Sequence, residues 1–139
     1  MREILFKAKR LDNDEWVEGY YYKRPSPERN EQHYILCPKF IDECMPYPTW
    51  YFEIDPNTLC QFTGLTDKND NKIWENDIVD VSVCWWVFCD MERNLVKWDE
   101  CKSGFLPYVD YDSNCDRYYY PESSKVIGNK FDNLELLKE

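Results

Sequence analysis

The chain is short of the residues on which most nucleotide, metal and hydrolytic chemistry depends. It has one histidine, His33, and four glycines in 139 residues. A single histidine in a polar stretch beside KRPSPERNEQ gives no recognisable Ser-His or Cys-His nucleophile. The glycines form neither a GxGxxG run nor a GxxxxGK loop followed by Ser or Thr, which excludes the common backbone cradles for phosphate. The cysteines are Cys37, Cys44, Cys60, Cys84, Cys89, Cys101 and Cys115, widely and irregularly spaced, with no C-x-x-C pair of the kind zinc fingers and ribbons use. Residues 1–10, MREILFKAKR, lack the apolar core of a secretory signal. The longest apolar stretch, VDVSVCWWVFC from Val79, is interrupted by Asp80 and falls short of the about 20 residues a spanning helix requires. Cations are scarce as well: 17 Lys and Arg stand against 27 Asp and Glu, for a net charge of -10 and a pI near 4.6. That balance opposes binding by phosphate neutralisation.

These absences set the expectations. The chain is expected to be no enzyme, with no catalytic residue, metal or cofactor, no membrane span and no direct nucleic-acid contact. Without an export signal, a cytoplasmic, reducing setting is the simplest assumption, with the cysteines as free thiols.

What is present is packing material. A hydrophobic content of 43%, with 17% aromatic, is too rich for a disordered chain. At 17.0 kDa it has the size of one domain. Abundant Trp, Tyr and Phe favour strands. Residues 4–9 alternate apolar and polar, residues 11–14 supply turn chemistry, and residues 16–22 are aromatic and β-branched, which predicts a hairpin. Residues 23–32 read as an exposed loop and 33–36 as a short strand. Residues 37–50, with three prolines, read as irregular, and 51–54 as extended. Two short extended pieces between residues 58 and 83 flank the turn residues 67–71. Asp67 and Asn69 are candidate structural residues there. Asn76 and Asp77 are candidates in the following ENDIV turn, where Asn tolerates a left-handed backbone and a short carboxylate accepts N–H groups. Alanine at Asp77 is expected to cost about 1 kcal/mol. A continuous strand is predicted over residues 78–88, with further strands at 94–98, 104–109, 118–120 and 125–127. A capping box at Asp132 or Asn133 is expected to start a short C-terminal helix.

Three segments together resemble the YopX family of small phage and prophage proteins. FKAKRLDNDEWVEGYY from Phe6 is similar to the family's opening hairpin. CQFTGLTDKNDNKIWENDIV, from Cys60 to Val79, is similar to its GQ-aromatic-TGL-x-DKNG-x-x-I-aromatic-EGDIV pattern. KVIGNKFDNLELL, from Lys125 to Leu137, is similar to its closing VIGN-x-x-DNPELL, and VKWDECKSGF fits a family strand and turn. Cys60, Asp70 and Asn76 stand where the pattern has glycine, and Leu134 where it has proline. The resemblance implies an all-β fold of SH3-like barrel character with an N-terminal β-hairpin extension and a short C-terminal helix. The extension covers 1–57, the barrel 58–128 and the helical tail 129–139 of a single domain. The resemblance brings no catalytic residue.

Two features carry binding potential. The tyrosine triplets at 20–22 and 118–120 put rings on both faces of a strand, one for the core and one free to stack on a base or sugar ring. In VCWWVF, read as one strand, Val83, Trp85 and Val87 point one way and Cys84, Trp86 and Phe88 the other. The second apolar face must be covered by the chain's own loops or by another molecule. Trp85, Trp86 and Phe88 are therefore the candidate interface residues, facing copies of this chain or a heterologous partner. TGLTDKNDNK is dense in oxygen ligands, but it lacks the glycine and the spacing of a calcium loop, so a hairpin turn is the expectation. The leading expectation is a phage-derived binding protein that contacts a host or phage protein, with inhibition of a host defence system as a fitting role. The alternative is a protein that sequesters a nucleotide-like small molecule in an aromatic pocket.

Overall fold

The computed structural model describes residues 3–25, 27–28, 30–37, 51–85, 88–110 and 118–138, the side chains of residues 84 and 85 excepted. The fold is mainly β, and the chain divides into two compact units, Met1–Phe62 and Thr63–Glu139.

In the first unit β1 (Phe6–Lys9) pairs antiparallel with β2 (Trp16–Arg24), as the opening alternation predicts. The reversal is closed by Arg10 N–H donating to the Glu15 carbonyl at 2.9 Å, with Asp14 at a φ of 58°. β3 (Gln32–Leu36) and β4 (Tyr51–Glu53) follow, and the start of β5 (Cys60–Thr66) pairs on the other side of β1, giving the order β4-β3-β2-β1-β5. The sheet curls until Arg10 and Ile54 form a bridge. Inside the curl lie Ala8, Ile35 and Ile54, packed by Phe6, Val17, Tyr21 and Leu59. Gly19 is required where it stands, because a Cβ there would collide with the Leu36 carbonyl of the neighbouring strand.

In the second unit the end of β5 turns through residues 67–71 into β6 (Lys72–Trp74). β7 (Asp77–Trp85) is the centre of a three-stranded sheet, between β8 (Phe88–Leu95) and β11 (Tyr118–Asn129). β9 (Lys97–Asp99) and β10 (Gly104–Leu106) form a separate hairpin. Ile73, Val79, Val96 and Phe105 form one buried cluster, and Val81, Val83 and Tyr119 another. Each such side chain contributes about 1.5 to 3 kcal/mol by leaving water.

Several expectations are corrected. The strand predicted over residues 78–88 is two strands: β7 and β8 pair antiparallel with Trp85 opposite Phe88, so the chain reverses between them. Residues 86 and 87 are Trp and Val. With no Gly, Asn, Asp or Pro there, nothing in the composition marks a turn, and alternation runs on unbroken through both arms. The strands predicted at 118–120 and 125–127 are one long strand, β11, with a register shift between Tyr119 and Ser124. The described sheets do not close into an SH3-like barrel. The C-terminal helix is a single 3-10 turn at Leu134–Leu137. Asn133 occupies its N-cap without a side-chain capping bond, because its Oδ1 accepts from Asn129 N–H instead. The cysteines are not all free thiols: Cys37, Cys60 and Cys101 are free, but Cys89 is disulfide-bonded. The β7–β8 register sets Cys89 opposite Cys84, a cross-strand relation that spacing along the chain does not reveal. The irregular segment expected at 37–50 lies almost wholly outside the described residues.

Candidate functional site

The predicted turn residues form two anchors in the second unit. Asp67 is 4% exposed. Its Oδ1 accepts from Asn69 N–H at 2.8 Å and Asn71 N–H at 2.9 Å, while its Oδ2 accepts from Val126 N–H at 3.1 Å. Burial pushes this carboxyl up, but the N–H donors of Val126, Asn71 and Asn69 together outweigh it and hold it below the usual carboxylate value. Asn69 contributes its backbone N–H to that turn, which it shapes without its side chain reaching Asp67. Asp77 is buried as well, and its Oδ2 accepts from Trp74 N–H at 2.8 Å. Asn76 sits between them at a φ of 70°. Burial pushes the nearby Tyr108 phenol up to about 12, so it stays protonated at neutral pH and donates to Ser124 Oγ at 3.0 Å. These groups bind one another and hold β6, β7 and β11 in register.

The exposed surfaces are elsewhere, and both are built on the tyrosine triplets. In the first unit the register aligns Tyr20 with Leu36 and Tyr51, Tyr22 with Tyr34, and Arg24 with Gln32. Paired residues share a face, so these side chains line the outside of the curl. Tyr20, Tyr22, Arg24, Tyr34, Leu36 and Tyr51 enclose an open groove of about 680 Å³. Tyr34 and Tyr51 meet edge to face, with ring centroids 5.6 Å apart. Tyr21, on the other face, packs inward and shares a hydrogen bond with His33 Nδ1. Alternation in YYYKR pointed to Tyr20, Tyr22 and Arg24 on one face. Tyr34, Leu36 and Tyr51 join them only through strand pairing, which no spacing encodes.

In the second unit Tyr119 is buried and donates to Glu92 Oε2 at 3.1 Å. Tyr118 and Tyr120 lie outside, stacked on each other with centroids 5.9 Å apart. Met91, on β8, is also exposed, and its sulfur accepts from Ser82 Oγ across the β7–β8 pair. Farther along, Arg93 pairs with Asp80 and donates to the Leu136 carbonyl, which seats the C-terminal turn over that end of the sheet. Of the sequence-predicted interface residues, Phe88 is 67% exposed at the start of β8. Trp86 and the side chain of Trp85 lie outside the described residues. Because of the reversal, Phe88 shares the sheet face of Val83 and not, as alternation along one strand predicts, the opposite one.

Among the described residues no helix is long and apolar enough to cross a membrane, and no group of three His, Cys, Asp or Glu side chains is placed to hold a metal ion. None of the curated proteins matches the chain. The YopX protein family matches it over residues 5–138. Membership suggests a small protein of phage or prophage type. With nearly its whole length matched, this chain belongs to the YopX family.

Proposed function

We propose that this protein works without catalysis, by binding a host protein or another phage protein through the outer face of the β11-β7-β8 sheet. The carrying observation is the uncovered part of that face. The C-terminal turn covers the end near Asp80 and Arg93, while Met91, Tyr118 and Tyr120 remain exposed. Tyrosine and methionine are residue types that interfaces concentrate. The net charge of -10 adds a long-range preference for a basic partner. Competition for a basic nucleic-acid channel of a host defence protein fits both properties, in the cytoplasm of the bacterial host. The test is capture from host lysate at low and at high salt with wild type and with Met91→Ser/Tyr118→Ser. A partner held by wild type at low salt, released by salt and lost by the variant at unchanged melting temperature supports the reading. Equal capture by the variant overturns it, and loss of self-association in the variant assigns the face to a second copy.

A second reading, a small-molecule binder, is favoured by one observation: the tyrosine groove of the first unit and the cation at its end.

A further inference from the structure

Arg24 is exposed at the end of β2, and among the described residues no ion pair or side-chain hydrogen bond engages it. Arg10, Lys23, Arg93 and Lys102 each pair with a carboxylate. In a chain with ten more acids than bases, a guanidinium left without a carboxylate is a charge held available. It stands at the end of the groove whose walls are Tyr20, Tyr22, Tyr34, Leu36 and Tyr51. Resting on the ligand-binding reading above, we propose that this groove binds a small planar ring carrying one anionic group, a mononucleotide-like ligand, with the ring on the tyrosines and the anion on Arg24.

Ring faces are open for it. Tyr20 and Tyr22 make no ring contact among the described residues and are 53% and 58% exposed. The edge-to-face pair of Tyr34 and Tyr51 forms a corner beside them. Tyr22 and Arg24 are two residues apart on one strand, which places their side chains about 7 Å apart along the same face. That is the reach between a stacked ring and an anion a few bonds away. A guanidinium holds phosphate or carboxylate oxygens in a two-pronged geometry, so its contribution is directional as well as electrostatic. The groove, at about 680 Å³, falls within the usual range for small-ligand sites.

A polyanion fits poorly. Single-stranded nucleic acid needs several cations along its path. On the same outer face Lys7 and Lys9 lie over the Trp16 ring, at 4.8 and 5.5 Å from its centroid, and the acidic field of the chain opposes the rest. Arg24 is the one cation in the described lining of the groove, and one cation suits one anion.

The experiment is calorimetric titration of the full chain with adenosine monophosphate, adenosine, inorganic phosphate and an adenine octadeoxynucleotide. Wild type is expected to take the monophosphate at one site and adenosine about tenfold more weakly. Arg24→Gln should bring the monophosphate to the adenosine level and leave adenosine unchanged, while Tyr22→Phe keeps both and Tyr22→Ala weakens both. Equal affinity for monophosphate and adenosine, or an unaffected Arg24→Gln, overturns the anion assignment and leaves the ligand reading standing. Failure of every ring-bearing probe overturns both. Tighter binding of the octamer with a steep salt dependence overturns the proposal in favour of a single-strand surface. Arg24 is exposed and outside any core cluster, so its variant decides the matter even where Tyr22→Ala loses stability.

Discussion

The two tyrosine triplets are the same three letters put to different uses. In both, the middle ring turns inward and is fixed by a hydrogen bond, Tyr21 to His33 and Tyr119 to Glu92, while the outer two point away from the core. The difference lies in what the outer rings meet. Tyr118 and Tyr120 stack on each other, so one face of each ring is taken by its neighbour and the pair presents a ridge. Tyr20 and Tyr22 stay apart in the ladder, opposite Leu36 and Tyr34, and their ring faces are open beside a free cation. A motif that puts rings outside thus yields a ridge suited to a protein or a groove suited to a small ring, according to whether the rings satisfy one another.

The largest test of that comparison concerns the inward rings. Tyr119→Ala, which empties a site 7% exposed against Val81 and Val83, should cost about 3 to 5 kcal/mol by urea unfolding. Tyr21→Ala, from a half-buried site, should cost less. Equal losses, or a larger one at Tyr21, would contradict this ranking of the two inward rings by burial.

Next in size is the turn that ties β11 to its neighbours. Asp67→Asn replaces a carboxylate oxygen facing Val126 N–H by either a misplaced donor or a broken turn, and about 2 to 3 kcal/mol should be lost. The pH dependence fixes the sign. A carboxyl held below its ordinary value contributes stability that is full above that value and lost as pH falls through the folded one. Wild type should therefore lose melting temperature as pH drops below about 4, and the variant should lose less over the same interval. Parallel curves would remove Asp67 from the account. The turn of the first unit carries the exposed pair Arg10–Asp12 instead, and neutralising Asp12 should leave stability almost unchanged.

Much of the fold was legible where local chemistry decides it. The opening hairpin, the 67–71 turn and the ENDIV turn are each marked by residues that prefer those backbones, and the buried carboxylates Asp67 and Asp77 lie in two of them. The β7–β8 reversal was hidden because Trp86 and Val87 carry strand preference, and the pairing of the whole hairpin must outweigh it. The candidate groove was half legible. Alternation groups Tyr20, Tyr22 and Arg24, but Tyr34 and Tyr51 arrive from strands whose register is a property of the assembled sheet. The free state of Arg24 is equally a negative fact about its surroundings, which no residue type announces.

Asp70 and Asn76, at φ values of 62° and 70°, have a consequence in the denatured chain. Glycine at either position would relieve the left-handed strain of the folded turn, yet it would also multiply the conformations open to the unfolded segment, and these two effects are each about 0.5 to 1 kcal/mol and opposed. Asp70→Gly and Asn76→Gly should therefore leave the melting midpoint nearly still. The turns of the second unit are accordingly interchangeable at equilibrium between a strained residue and a loose one, and what the side chain adds is a disordered state with fewer ways to miss the hairpin.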